Sequence, residues 1–131
     1  MAAESSRLVL VILAVEDLAR SRAFYAAAFG WTERVAESVY AEFELPDGLR
    51  LGLYERLAFG SNIGETPYQV RAGAIASTEL YFVAVDLDAD ITRVTAAGAR
   101  ALSPRSVRGW GDEAAYFADP DGNVLVLSRP A

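Results

Sequence analysis

The stretch DPDGNVLVL, from Asp119 to Leu127, returns in altered form earlier in the chain as LPDGLRLGL, from Leu45 to Leu53. Both copies place Pro-Asp-Gly directly before a short run of alternating apolar residues. Pro, Asp and Gly favour tight turns, and apolar alternation is typical of a β-strand. Each copy is therefore interpreted as a turn leading into a strand, and the repetition indicates two related modules.

A second pair of matching segments begins each module. When Asp17 is aligned with Asp86, VILAVEDLARS lies over LYFVAVDLDAD. The alternation predicts a strand, and Asp is a favoured first residue of a following helix. The helical spacing then continues to Gly30 in one copy and to Gly98 in the other, and Gly is a common helix stop.

Three strands are predicted after each helix, with the Pro-Asp-Gly turn between the last two. They cover residues 32–36, 39–45 and 49–54 in the first module and 100–102, 114–117 and 124–128 in the second. The 131 residues suit one domain. We therefore predict a single α+β domain over 1–131, with βαβββ modules at 7–57 and 77–129 and a Gly-, Ser- and Thr-containing linker at 58–76.

Composition removes several classes of function. The chain has no Cys and no His, which excludes disulfides, thiolate nucleophiles and the commonest metal ligand and general base. A net charge of -6 with scattered arginines argues against nucleic acid as a partner. No apolar run is long enough to span a membrane, and the start MAAESSR lacks a signal-peptide pattern. We expect a cytoplasmic protein without a membrane partner.

The paired modules, the segment SRAFYAAAFGW after Asp-Leu, and the closing WGDEAAYFADPDGNVLVLSRP resemble the vicinal oxygen chelate superfamily. That group includes glyoxalase I, extradiol dioxygenases and the bleomycin resistance proteins. The resemblance implies that the two modules form a curled mixed sheet around a cleft. It also implies that two chains pair, so we expect a homodimer.

The resemblance further locates the positions where the superfamily's metalloenzymes carry their ligands. These are a His seven residues before each helix-starting Asp and a Glu in the last strand of each module. Here the four positions hold Leu10, Gly52, Glu79 and Val126. Since a catalytic metal usually needs three protein ligands, the resemblance implies no metal and no cofactor in this chain.

If those positions face the cleft, strand alternation assigns their neighbours to the same face. The resulting surface is mostly apolar with several aromatic rings, which suits a small organic ligand. Trp110, just before the penultimate strand, either stacks on a planar ligand from the rim or packs in a small loop core. The predicted ligand-binding residues are Leu10, Ile12, Arg50, Gly52, Tyr54, Glu79, Tyr81, Trp110 and Val126.

The side chain of Glu79 has three interpretations. It is a strand-end carboxylate in solvent, a partner for a cationic or hydrogen-bonding ligand group, or a general base. The sequence favours metal-independent sequestration of a small aromatic or planar molecule, as in antibiotic resistance proteins. The alternatives are a lyase, isomerase or dioxygenase that uses atypical metal ligands or Glu79 as base, and an accessory binding module of a larger pathway.

Overall fold

The computed structural model describes residues 4–131 and contains two four-stranded mixed sheets. In the first sheet the order is β1-β4-β3-β2, and in the second it is β5-β8-β7-β6. The strands are β1 Leu10–Val15, β2 Thr32–Ala36, β3 Tyr40–Glu44, β4 Arg50–Glu55, β5 Glu79–Val83, β6 Arg100–Val107, β7 Asp112–Ala118 and β8 Val124–Pro130. The helices are α1 Leu18–Phe29, α2 Arg56–Ile63 and α3 Leu87–Ala96.

The two sheets repeat the same pattern of strand pairing. In each, the first strand runs parallel to the last, and the last three strands are antiparallel neighbours. The register also repeats, because Leu10 lies opposite Arg50 on β4 and Glu79 lies opposite Val124 on β8. The predicted α+β fold with two βαβββ modules is therefore confirmed.

Both Pro-Asp-Gly segments form turns between antiparallel strands, as predicted. Pro46–Gly48 is a single 3-10 turn in which Asp47 has a φ of 66°. In the second turn Gly122 has a φ of 83°, and a Cβ there would lie 2.6 Å from the carbonyl oxygen of Ala74. Only glycine meets both demands at position 122.

Helix α1 joins the sheet of the second module rather than that of its own. The chain forms one compact unit from residues 4–18 and 31–67, and another from 19–30 and 68–131. Within the second unit, the ring of Phe29 lies 4.8 Å from that of Phe82 on β5. Arg93 of α3 donates from Nε to the carbonyl of Ala28 at 3.0 Å. Sequence order alone does not predict this exchange.

Polar contacts fix the same helix to the second Pro-Asp-Gly turn. The hydroxyl of Tyr25 donates to the carboxylate of Asp119, and both residues are buried. One turn earlier, the Ser21 hydroxyl donates to Asp121 at 2.8 Å. Asp119 also accepts from the backbone N–H of Asn123 at 2.8 Å, which closes the turn. The turn interpretation of Asp119 is confirmed, and the turn is also the anchor of α1.

Two local features differ from the sequence prediction. Helix α2 occupies part of the predicted linker; it begins after Glu55, whose carboxylate caps two N–H groups, and ends at Gly64. Strand β6 extends to Val107 instead of ending near residue 102. Its register shifts between Ser103 and Ser106, around Pro104, and β6 is an edge strand, where proline is tolerated.

Across residues 4–131, no helix is both long enough and apolar enough to cross a membrane.

We expect Tyr25→Phe to lower the free energy of unfolding by about 1.5–3 kcal/mol, because the buried Asp119 carboxylate loses a donor. Urea denaturation at neutral pH measures the change. Tyr68→Phe, at a 68% exposed position, is the matched control and should leave the midpoint unchanged. Equal stability of the Tyr25→Phe variant and the wild type would contradict the role of this contact.

The burial of Tyr25 also predicts that the free energy of unfolding decreases at alkaline pH. Burial, and then the Asp119 charge, raise the pKa of Tyr25 well above its ordinary value. The folded protein therefore keeps the phenol proton that the unfolded chain releases near about pH 10. Its contribution is complete below that pH and falls as pH rises further. Tyr25→Phe should flatten the decline in unfolding free energy above pH 10, and an unchanged slope would contradict this assignment.

Candidate functional site

The predicted ligand residues of the first unit share one face of its sheet. Leu10 lies beside Arg50, and Ile12 beside Gly52, across the parallel pair β1 and β4. Tyr54 follows two residues later on β4, so its side chain points to the same face. The structure thus brings all five residues together on neighbouring strands.

Tyr40 of β3 covers the backbone at Gly52. A Cβ at position 52 would lie 2.5 Å from the Tyr40 hydroxyl oxygen and 3.0 Å from Ile12. The Tyr40 ring also packs edge-on against Tyr54, with the ring centroids 5.3 Å apart. The space that a larger side chain at position 52 would need is therefore filled by a phenol.

Glu42 holds this phenol in place. It is 5% exposed, and its Oε1 accepts from the Tyr40 hydroxyl at 2.7 Å. Its Oε2 accepts from Arg50 at 3.1 Å and lies 3.2 Å from Nε of Arg34. Burial, followed by the hydrogen bond to Glu42, raises the pKa of Tyr40. The Tyr40 phenol is therefore neutral near physiological pH, and its hydroxyl proton is used in the hydrogen bond to Glu42.

The superfamily resemblance and strand alternation do not by themselves select Tyr40, Glu42 or Arg34 as site residues. Their signal is the alternation of β3, YAEFE, in which Ala41 and Phe43 are buried apolar residues of the opposite parity. That pattern places Tyr40 and Glu42 on the same face as Gly52 once β3 is known to pair with β4. The pairing of β3 with β4 is known only from the tertiary structure.

In the second unit, Tyr81 spans the middle of the sheet. It belongs to β5, and its hydroxyl donates to Asp112 on β7 at 2.5 Å, two strands away. Its side chain therefore crosses β8, where Val126 lies directly opposite Tyr81 and is fully buried. Trp110 completes the arrangement, because its Nε1 donates to the Tyr81 hydroxyl at 2.9 Å. We call Tyr81, Trp110 and Asp112 the aromatic cluster.

The aromatic cluster is open to solvent. Trp110 is 60% exposed and Tyr81 is 40% exposed. Trp110 is therefore held by one polar contact instead of being packed in a loop core. Large exposed rings that are fixed by hydrogen bonds offer a flat surface at little entropic cost, which favours stacking of a planar molecule.

Glu79 lies next to this cluster on the same face of the sheet, two residues before Tyr81. It is exposed and, within residues 4–131, forms no ion pair or side-chain hydrogen bond. Burial, and then the negative charge of Glu79, raise the pKa of Tyr116 on β7. The guanidinium of Arg108 stacks 4.8 Å from the centre of the Tyr116 ring. Glu79 is thus a carboxylate available to a ligand.

The residues at the superfamily's metal-ligand positions do not fit a metal centre. Leu10 and Val126 are apolar, Gly52 has no side chain and lies under Tyr40, and Glu79 alone offers an oxygen. Among the described residues, no group of three or more Asp, Glu, His or Cys side chains could hold a metal ion.

The fold agrees with a comparison to protein-family models. Residues 7–127 match the model of the Glyoxalase/Bleomycin resistance protein/Dioxygenase superfamily. The chain belongs to this superfamily. The resemblance seen in the sequence is therefore confirmed across nearly the whole chain. A comparison with curated proteins finds no significant match.

Solved structures of the superfamily share the fold. A glyoxalase-related enzyme from Fulvimarina pelagi is 21% identical, with a TM-score of 0.84 over 95% of this chain and 88% of its own. A glyoxalase/bleomycin resistance protein/dioxygenase from Nocardioides is 20% identical, with a TM-score of 0.81 over 98% and 86%. A family enzyme from Burkholderia phytofirmans is 19% identical, with a TM-score of 0.78 over 96% and 100%. Likeness at this identity shows the fold alone.

We expect Gly52→Ala to move Tyr40 away from Glu42, because the added methyl group cannot coexist with the phenol at 2.5 Å. Crowding of this kind usually costs about 1–3 kcal/mol, which chemical denaturation measures. Gly109→Ala is the matched control, since a Cβ there meets nothing within 4 Å. If both variants are as stable as the wild type, Tyr40 does not occupy this space.

Proposed function

We propose that this protein binds a small planar organic cation without a metal ion and sequesters it, in the manner of an antibiotic resistance protein. The observation that carries the proposal is the aromatic cluster, in which two exposed rings are fixed by hydrogen bonds beside the available carboxylate of Glu79. The rings supply stacking area and Glu79 supplies charge. The ligand class follows from that combination.

Electrostatics supports a cationic group on the ligand. Glu79 and Asp112 place two carboxylates near the rings of Tyr81 and Trp110, and the whole chain carries a net charge of -6. An organic cation gains from an aromatic face and from a nearby carboxylate together. Arg108 is turned onto the Tyr116 ring and so leaves Glu79 available.

Binding explains the described residues better than catalysis does. Three of the superfamily's four metal-ligand positions hold no side-chain ligand, and tyrosines lie over two of these three. Glu79 is exposed and no described side chain orients it, whereas a general base must be held against the proton that it removes. Sequestration requires only a surface of suitable shape and charge.

A titration with planar cationic antibiotics tests the proposal, with neutral analogues of similar size beside them. We expect saturable quenching of tryptophan fluorescence by the cations, with Trp110 as the responding residue and Trp31 as a constant background. Glu79→Gln should weaken binding about tenfold or more, since an ion-assisted contact is lost. Trp110→Ala, followed by calorimetry because the reporter is gone, should weaken it as well. Glu65→Gln removes an exposed carboxylate of the first unit and is the control.

Two outcomes would contradict this function. One is equal affinity of the wild type and Glu79→Gln for every cation that binds. The other is stoichiometric zinc, iron, manganese or nickel in protein purified without chelators, together with loss of binding when the metal is removed. We expect binding to be unchanged by chelator treatment.

We extend the proposal to a homodimer. Strand β5 is an edge of the second sheet, Val83 on it is 69% exposed, and Val85 just beyond it is fully exposed. An apolar edge strand of this kind is commonly covered by another chain, and a second copy is the occupant that the superfamily resemblance implies.

Light scattering at micromolar concentration should show twice the mass of one chain. The double substitution Val83→Lys and Val85→Lys should shift the protein to monomer, because buried lysine charges oppose the contact. Val107→Lys, at a 67% exposed site on the other edge strand, is the control. A monomeric wild type would rule out the dimer.

A further inference from the structure

Two arginines on the first unit's face converge on one buried oxygen. Arg50 donates from Nη1 to Oε2 of Glu42 at 3.1 Å, and Nε of Arg34 lies 3.2 Å from the same atom. Both guanidiniums are therefore held within a few ångströms of each other. We propose that this arginine pair binds the carboxylate group of a small organic acid.

The carboxylate of Glu42 positions the pair and is almost completely shielded from solvent. Its other oxygen, Oε1, accepts the Tyr40 hydroxyl at 2.7 Å, and the side chain is 6% exposed. Because both oxygens are occupied, Glu42 acts as a fixed internal counterion. It orders two side chains that would otherwise lose rotamer freedom on binding a ligand.

The pair keeps unused donors and positive charge. In the described chain, the Nη1 bond to Glu42 is the one hydrogen bond made by the Arg50 side chain, which is 28% exposed, so Nε and Nη2 remain for a ligand. Glu42 balances one of the two guanidinium charges. Glu44, which is 55% exposed, lies 3.7 Å from Nη1 of Arg34 and offsets part of the other charge, so the donors of Arg50 that remain available are the main basis for binding a carboxylate.

The surroundings suit a carboxylate with an apolar body. Leu10 lies beside Arg50 across the strand pair, and Ile12 occupies the next inward position on β1. The Tyr54 ring follows along β4. A planar carboxylate matches the forked donors of arginine, and an attached ring or chain would cover the apolar neighbours. This inference rests on the proposed function in one respect, which is that small molecules have access to the face formed by β1, β3 and β4.

Nuclear magnetic resonance titration with benzoate tests the arginine pair, with benzamide as the uncharged isostere. We expect saturable shifts of the Arg34 and Arg50 side-chain N–H signals and of the β3 and β4 amides with benzoate alone. Arg50→Gln and Arg34→Gln should each weaken binding about tenfold or more. Arg50→Lys keeps the charge without the planar fork and should restore only part of the affinity. Inorganic phosphate should compete at the same signals.

Arg56→Gln is the matched control, because Arg56 pairs with Glu16 elsewhere in the first unit. The amide spectrum of each variant shows whether it folds, and Arg34→Gln changes a side chain that is 43% exposed. The proposal is overturned if benzamide shifts the same signals, if Arg50→Gln binds benzoate as the wild type does, or if phosphate binds and benzoate does not. Binding of cations at Trp110 is measured separately, so either proposal can fail alone.

Discussion

The carboxylate of Asp119 is the point on which the second unit depends. Its Oδ1 accepts the backbone N–H groups of Asp121 and Asn123, and its Oδ2 accepts the Asn123 side chain and the Tyr25 hydroxyl. A buried carboxylate without these partners would be strongly unfavourable. Burial raises the pKa of Asp119 although these hydrogen bonds oppose the shift. Asp119 therefore links the turn to α1 through the hydrogen bonds that its buried carboxylate requires.

This contact joins residues from the two copies of the sequence repeat. Tyr25 belongs to the first copy of the repeat, yet its hydroxyl satisfies a carboxylate of the second. Phe29 packs on Phe82 in the same way. The compact unit that contains the second sheet therefore includes a helix from the first half of the sequence.

Each unit uses a tyrosine hydroxyl fixed by a carboxylate on the face where superfamily enzymes bind metal. Tyr40 lies over Gly52 and donates to Glu42, whereas Tyr81 crosses β8 and donates to Asp112. The tyrosines come from different strands, so the similarity does not follow from the repeat. The hydrogen bonds between strands are made by backbone groups, so they do not depend on which side chains occupy the metal-ligand positions. The fold can therefore be retained while its surface chemistry changes.

The sequence by itself determined the repeat, the turns and the strand faces, because Pro-Asp-Gly chemistry and alternation act over a few neighbouring residues. It also determined that Leu10, Gly52 and Val126 offer no side-chain ligand to a metal, since that is a property of the residue types. Only the tertiary structure decided where α1 packs, since helical spacing predicts an apolar face but does not indicate which sheet that face contacts. It likewise decided that Glu42 holds two arginines, and that Trp110 reaches Tyr81, because these contacts join strands and loops that are distant in sequence.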